Sequence, residues 1–86
     1  MAGLAMFTKI NEKIAVVGTY NHAAFKPRKF LWRDRVFPVE DITFVTETAD
    51  GGIRQRIYSI QSKGSVYRIL FNRDTEEWQV SEVFVE

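Results

Sequence analysis

From Lys13 onward, apolar residues recur at every second position between short runs of turn formers. Alternation with a period of two puts successive side chains on opposite faces of a β-strand. The β-branched run Ile14, Val16, Val17 and Thr19 predicts a strand over Lys13 to Tyr20, after which Asn21 to Phe25 turns the chain. Phe30 and Trp32 before Arg33-Asp34, with Phe37 and Val39 after it, predict an antiparallel hairpin over Lys26 to Val39. Ile42 to Thr48 continues as a strand up to the strong turn signal Asp50-Gly51-Gly52. Ile53 to Gln61 and Ser65 to Phe71 flank a turn at Lys63-Gly64. A loop over Asn72 to Glu77 then leads into a last strand, Trp78 to Val85. The expected fold is all-β: about six antiparallel strands in a strongly bent sheet or small closed barrel, with no substantial helix.

Turn geometry sharpens this into faces. A two-residue turn at Lys63-Gly64 sets Tyr67 opposite Ile60 and Ile69 opposite Tyr58. Tyr58, Ile60, Tyr67, Ile69 and Phe71 then share a face that Trp78 and Val80 extend, and Phe30, Trp32, Phe37 and Val39 complete the expected core. Both tryptophans, Trp32 and Trp78, are expected to be buried in it. The same register places Ile57 beside Leu70 on the other face, with Thr46 and, diagonally, Phe44 in that row. An apolar row on an outer face calls for a cover, which makes Phe44, Ile57 and Leu70 candidate interface residues. Barrel closure assisted by the N-terminal segment is the expected cover, and a homodimer is the second. Residues 1–11 lack a period and read as a loose end or as that cover, while residues 12–86 read as one β domain.

Composition narrows the chemistry. Eighty-six residues support one core. Without cysteine there is no disulfide framework, thiolate nucleophile or cysteine zinc site, and a single histidine, His22, argues against a histidine metal cluster. Neither a cofactor nor a metal is expected. Lack of cysteine fits a reducing cytoplasm. No stretch approaches the roughly 18–20 apolar residues of a membrane helix, and the N-terminus lacks the basic region of a secretory signal. Glu40-Asp41 and Asp74 with Glu76 and Glu77 group carboxylates, but at bends where acids are good turn residues. With no histidine, cysteine or phosphate-cradling glycine motif beside them, a catalytic role is not expected.

Charge is distributed unevenly. Residues 1–39 carry seven Lys/Arg against two acids, a balance of +5, and residues 40–86 carry five against nine, a balance of −4. Lys26, Arg28, Lys29, Arg33 and Arg35 crowd the aromatic hairpin, and Arg54, Arg56 and Arg68 on later strands would widen a basic surface. Cations interleaved with aromatics suit single-stranded nucleic acid, where charge meets phosphate and rings stack on bases. Lysine and arginine beside core aromatics also guard sheet edges, and Glu47 falls opposite Arg54 or Arg56 in either register of the Gly51-Gly52 hairpin. The expected function is a small non-enzymatic binding module that takes nucleic acid through Lys26 to Arg35. The alternative is a protein-interaction or self-associating module, using an edge strand or the Ile57/Leu70 row.

The run Pro27-Arg28-Lys29-Phe30-Leu31-Trp32-Arg33-Asp34-Arg35-Val36-Phe37-Pro38-Val39 and the later Val66 to Phe71, Trp78, Val80 and Val83 carry a resemblance. Together they resemble a family of small bacterial all-β domains of unknown function with a Trp-Arg-x-Arg hairpin. Related domains occur at the C-terminus of error-prone polymerase-like proteins. The resemblance implies a compact β domain and a link to DNA transactions, and it implies no catalytic residue.

Overall fold

The computed structural model describes residues 6–85. Seven strands follow one another: β1 Met6–Asn21, β2 Ala24–Trp32, β3 Arg35–Pro38, β4 Asp41–Asp50, β5 Ile53–Ser62, β6 Ser65–Asn72 and β7 Glu77–Val85. They form one antiparallel sheet in the order β3-β2-β1-β7-β6-β5-β4, with no helix among the described residues. The all-β expectation holds, and the sheet curls strongly into a half-barrel.

The curl has identifiable causes. β1 is long enough to pair with two neighbours in succession, its first half with β7 and its second half with β2. Register shifts interrupt both ladders, between Lys9 and Glu12 and between Val17 and Gly18. Such bulges bend a strand and increase its twist. The two outermost strands of the sheet, β3 and β4, are consecutive in the chain and separated only by Val39 and Glu40. Val39 N–H donates to the Arg28 carbonyl at 2.8 Å and Glu40 N–H to the Gln61 carbonyl at 2.9 Å. The sheet's two edges therefore meet at that end. Farther along, the start of β2 and the body of β4 have no ladder with each other, and an open seam separates them.

Four hairpins turn on pairs of residues that both have positive φ: His22-Ala23, Arg33-Asp34, Gly51-Gly52 and Lys63-Gly64. This is the twist-matched turn that two-residue hairpins favour. The first is tighter than the Asn21 to Phe25 loop expected from the sequence, because His22-Ala23 contains no glycine to announce it. The second correction concerns the N-terminus. Residues 6–11 are neither loose nor a cover; they extend β1 along β7, pairing Phe7 with Phe84. Residues 1–5 lie outside the described residues.

Packing follows the alternation. Phe30, Phe37, Tyr58, Ile60, Tyr67, Ile69 and Val80 are buried on the concave face, with Val39, Phe71, Trp32 and Trp78 packed against them. The two tryptophans are only half-buried, because each lies toward an end of the half-barrel rather than at its centre. On the convex face Ile57 pairs with Leu70 and Thr46 with Ile57, as expected. Phe44 pairs with Ser59 and stays 57% exposed. Among the described residues no further element covers this row.

Candidate functional site

The open end of the half-barrel gathers aromatics and arginines. Tyr20 and Phe25 face each other across the β1–β2 hairpin, their ring centroids 5.1 Å apart. Phe25 reaches Trp78 at 5.7 Å, and Trp78 in turn meets Phe71 at 4.8 Å and Tyr58 at 5.5 Å. The Phe25 ring can lie there because Gly18 leaves room for it. A Cβ on Gly18 would collide with the Phe25 ring and the Lys26 carbonyl. Tyr20, Phe25, Tyr58, Phe71 and Trp78 line a cleft of about 230 Å³, together with Arg56 and Arg73.

The arginines are held in place. Arg56 lies opposite Glu47 in the β4–β5 ladder and donates to its Oε1 through Nε at 3.1 Å and Nη2 at 2.8 Å. Arg73 donates to the same oxygen at 3.2 Å. Arg73 sits in the β6–β7 loop, where the Asn72 side chain accepts the backbone N–H groups of Asp74 and Thr75. This loop is tied to β5 through Arg73 N–H to the Arg54 carbonyl and through the Asp74 carboxylate, which accepts from the Arg54 backbone and guanidinium. Tyr58 first and Glu47 second hold the Arg56 guanidinium above its ordinary range, so it stays charged.

Beside the cleft runs the seam. Ala24, Phe25 and Lys26 of β2 line one wall, and Ile42 and Val45 of β4 line the other, around a shallow and mainly apolar space of about 520 Å³. Arg56 and Tyr58 floor the seam and also line the cleft, which joins the two spaces.

The eight basic candidates do not form one patch. Arg33, Arg54, Arg56 and Arg68 each pair with a carboxylate: Glu12, Asp74, Glu47 and Glu82 respectively. Arg33, at the hairpin tip, also covers Trp32 at 4.6 Å, while Glu12 accepts from Trp32 Nε1 at 2.8 Å. That contact ties the tip to β1. Arg68 covers Phe7 at 5.3 Å, alongside the convex Phe84. Arg28 donates to the Thr19 hydroxyl at 3.3 Å. Lys26 borders the seam, Lys29 faces outward from β2, and Arg35 opens β3 near Arg33. Of the eight, Lys26 lines the seam and Arg56 lines both the seam and the cleft.

Tyr20, Phe25 and Arg73 escaped the reading of the sequence. Tyr20 and Phe25 would have emerged had His22-Ala23 been read as a two-residue turn, since that register pairs them. Arg73 carries no sequence signal, because its place depends on an Asx turn and on a hairpin nineteen positions earlier.

Ion pairing gives the fold an acid limit. Glu12, Glu47, Asp74 and Glu77 are all held below the usual carboxylate range: Glu12 by Arg33, Glu47 by Arg56, Asp74 by the Arg54 backbone and guanidinium, and Glu77 by Lys13. A carboxyl with a depressed folded pKa stabilises the fold above its unfolded pKa, and that stabilisation disappears as pH falls through the folded value. The melting temperature is therefore expected to stay level between about pH 7 and 5 and to drop on acidification below about pH 4. Added salt should shrink the drop, because these pairs are exposed. Thermal unfolding followed by circular dichroism checks this, and a melting temperature level down to about pH 2 would refute it.

No protein-family model, curated protein or solved structure matches this chain.

Proposed function

We propose that the protein is a non-enzymatic binding module that captures an extended polypeptide strand along β4, in the seam. One observation carries this reading: the contrast between the two edges of the sheet. β3 offers four residues, guarded by Arg35 and Pro38. β4 offers ten, Asp41–Asp50, with no lysine, arginine or proline among them and with Phe44 and Val45 exposed. Long edges free of lysine, arginine and proline are templates for strand addition, in which backbone hydrogen bonds give affinity and side-chain contacts give specificity.

The walls suggest the partner's pattern. Inward side chains of an added strand meet Ile42, Val45 and Phe25 and should be apolar. Outward ones pass Lys26, so acidic residues are favoured there. A second copy pairing through its own β4 fits less well. Asp41 and Glu47 from both chains would crowd one ladder without a base on either strand.

The test uses a fluorescein-labelled peptide alternating valine and threonine, with one glutamate placed to face Lys26, matched to β4 in length. Binding should protect β4 amides from hydrogen exchange, and Val45→Lys should abolish it while leaving the melting temperature nearly unchanged. Absence of both binding and added protection would count against strand capture. Sedimentation of the protein alone checks the rival, since a concentration-dependent dimer that Val45→Lys disrupts would favour self-pairing.

The hairpin reading, nucleic acid held by Lys26, Arg28, Lys29, Arg33 and Arg35, has less geometric support. Arg33 is committed to Glu12, and neither Arg33 nor Arg35 lines the aromatic cleft.

A further inference from the structure

We propose a second site, argued independently of strand capture although it shares Phe25, Tyr58 and Arg56 with the seam: the aromatic cleft at the open end takes a nucleobase bearing a phosphate. The base stacks on Tyr20 with its edge toward Phe25, and the phosphate meets Arg73 and Arg56. Tyr20 provides the first argument. It is 76% exposed, yet it packs edge-on against Phe25 at the rim of a preformed cavity. Burial in the core does not account for an aromatic so placed. A flat ligand laid on its open face would stack there and meet Phe25 with its edge.

Charge provides the second argument. Two guanidiniums converge on a single carboxylate oxygen, Glu47 Oε1, so the cleft retains one positive charge beyond its own pair. The nearby Asp74 is already engaged by Arg54. Arg73 uses only Nη1 on Glu47, which leaves Nε and Nη2 available among its described contacts, and its side chain is 41% exposed. A planar fork with free donors is suited to phosphate oxygens. The tether from Arg73 N–H to the Arg54 carbonyl fixes this loop before any ligand arrives, so little ordering is needed on binding.

Base and phosphate together can come from a free nucleotide or from one unit of a single strand. The chemistry at the cleft is the same, and the experiment separates the sources. Trp78 lines the cleft, so its fluorescence should report stacking. The protein is titrated at low salt with adenosine 5′-monophosphate, adenosine, inorganic phosphate and a short single-stranded oligodeoxyadenylate. Adenosine monophosphate should quench Trp78, with adenosine and phosphate each at least about tenfold weaker. Tyr20→Ala and Arg73→Ala should each weaken binding at least about tenfold, while circular dichroism spectra and melting temperature stay unchanged.

Equal per-nucleotide affinity for monophosphate and oligonucleotide assigns the cleft to free nucleotides. A strong, salt-sensitive preference for the oligonucleotide assigns it to a strand. If neither ligand binds at millimolar concentration, or if both variants bind like the parent, the proposal is overturned. Val45→Lys blocks peptide capture and leaves the cleft intact, so either proposal can fail without the other.

Discussion

Phe30→Ala is expected to lower stability by about 3–5 kcal/mol, the largest effect of any single truncation in this chain. Phe30 is fully buried, stacked face to face on Phe37 at 4.9 Å and edge-on to Tyr67 at 5.4 Å. Phe37 and Tyr67 contact each other as well, at 5.5 Å, so removing one ring takes away two of the three contacts in the cluster. The cluster also fastens distant parts of the chain, joining β2 and β3 to β6 across the concave face. A domain of this length has a net stability of roughly 4–13 kcal/mol, so the loss would consume about a quarter of it or more. Urea unfolding should show a large fall in midpoint, and melting should drop by at least about 12 °C. Val36→Ala serves as the control: Val36 is 49% exposed on the convex face, and its truncation should change stability by no more than about 0.5 kcal/mol. Similar losses for the two variants would mean that the aromatic cluster is not the centre of the core.

Gly18→Ala is the second large effect, and its sign is diagnostic. At an ordinary strand position, replacing glycine by alanine stabilises by about 0.5–1 kcal/mol, because alanine leaves the unfolded chain less freedom. Here the new methyl would collide with the Phe25 ring and the Lys26 carbonyl oxygen. A ring can rotate aside, but a carbonyl in the β1–β2 ladder moves only with its strand. The expected outcome is a destabilisation of about 1–3 kcal/mol, measured by urea unfolding. Adding Phe25→Ala should recover only part of the loss, because the backbone clash remains. Gly18→Ala should also disturb the cleft, since displacing Phe25 moves the ring that Tyr20 meets edge-on. A stabilised Gly18→Ala variant would show that β1 and β2 are not so closely apposed.

Most strands were legible in the sequence because their signals are local. Ile57 beside Leu70, Tyr58 opposite Ile69 and Ile60 opposite Tyr67 follow from one turn, Lys63-Gly64, and from strict alternation on either side. Gly51-Gly52 left Glu47 opposite Arg54 or Arg56, and the observed register pairs it with Arg56. Legibility failed where the local signal was weak. His22-Ala23 adopts a glycine-type turn without glycine, and residues 6–11 form a strand without clean alternation because a bulge interrupts their ladder.

The candidate site was far less legible than the fold. A basic residue's charge can be read from the sequence, but its partner depends on which strands become neighbours. Arg33 is committed to Glu12 twenty-one positions earlier, and Arg54 to Asp74 twenty positions later. The exposure of Tyr20 and the place of Arg73 depend on closure in the same way.

Side-chain alternation and turn chemistry, both set within a few residues, determined by themselves that this chain is all-β and antiparallel with Phe30, Tyr58, Ile60 and Ile69 on one face. Tertiary structure alone decided how far the sheet curls, because curl sums the twist and bulges of every strand. That sum brings β3 and β4 together at Val39-Glu40 and leaves them apart beyond it, and so places the seam and the cleft.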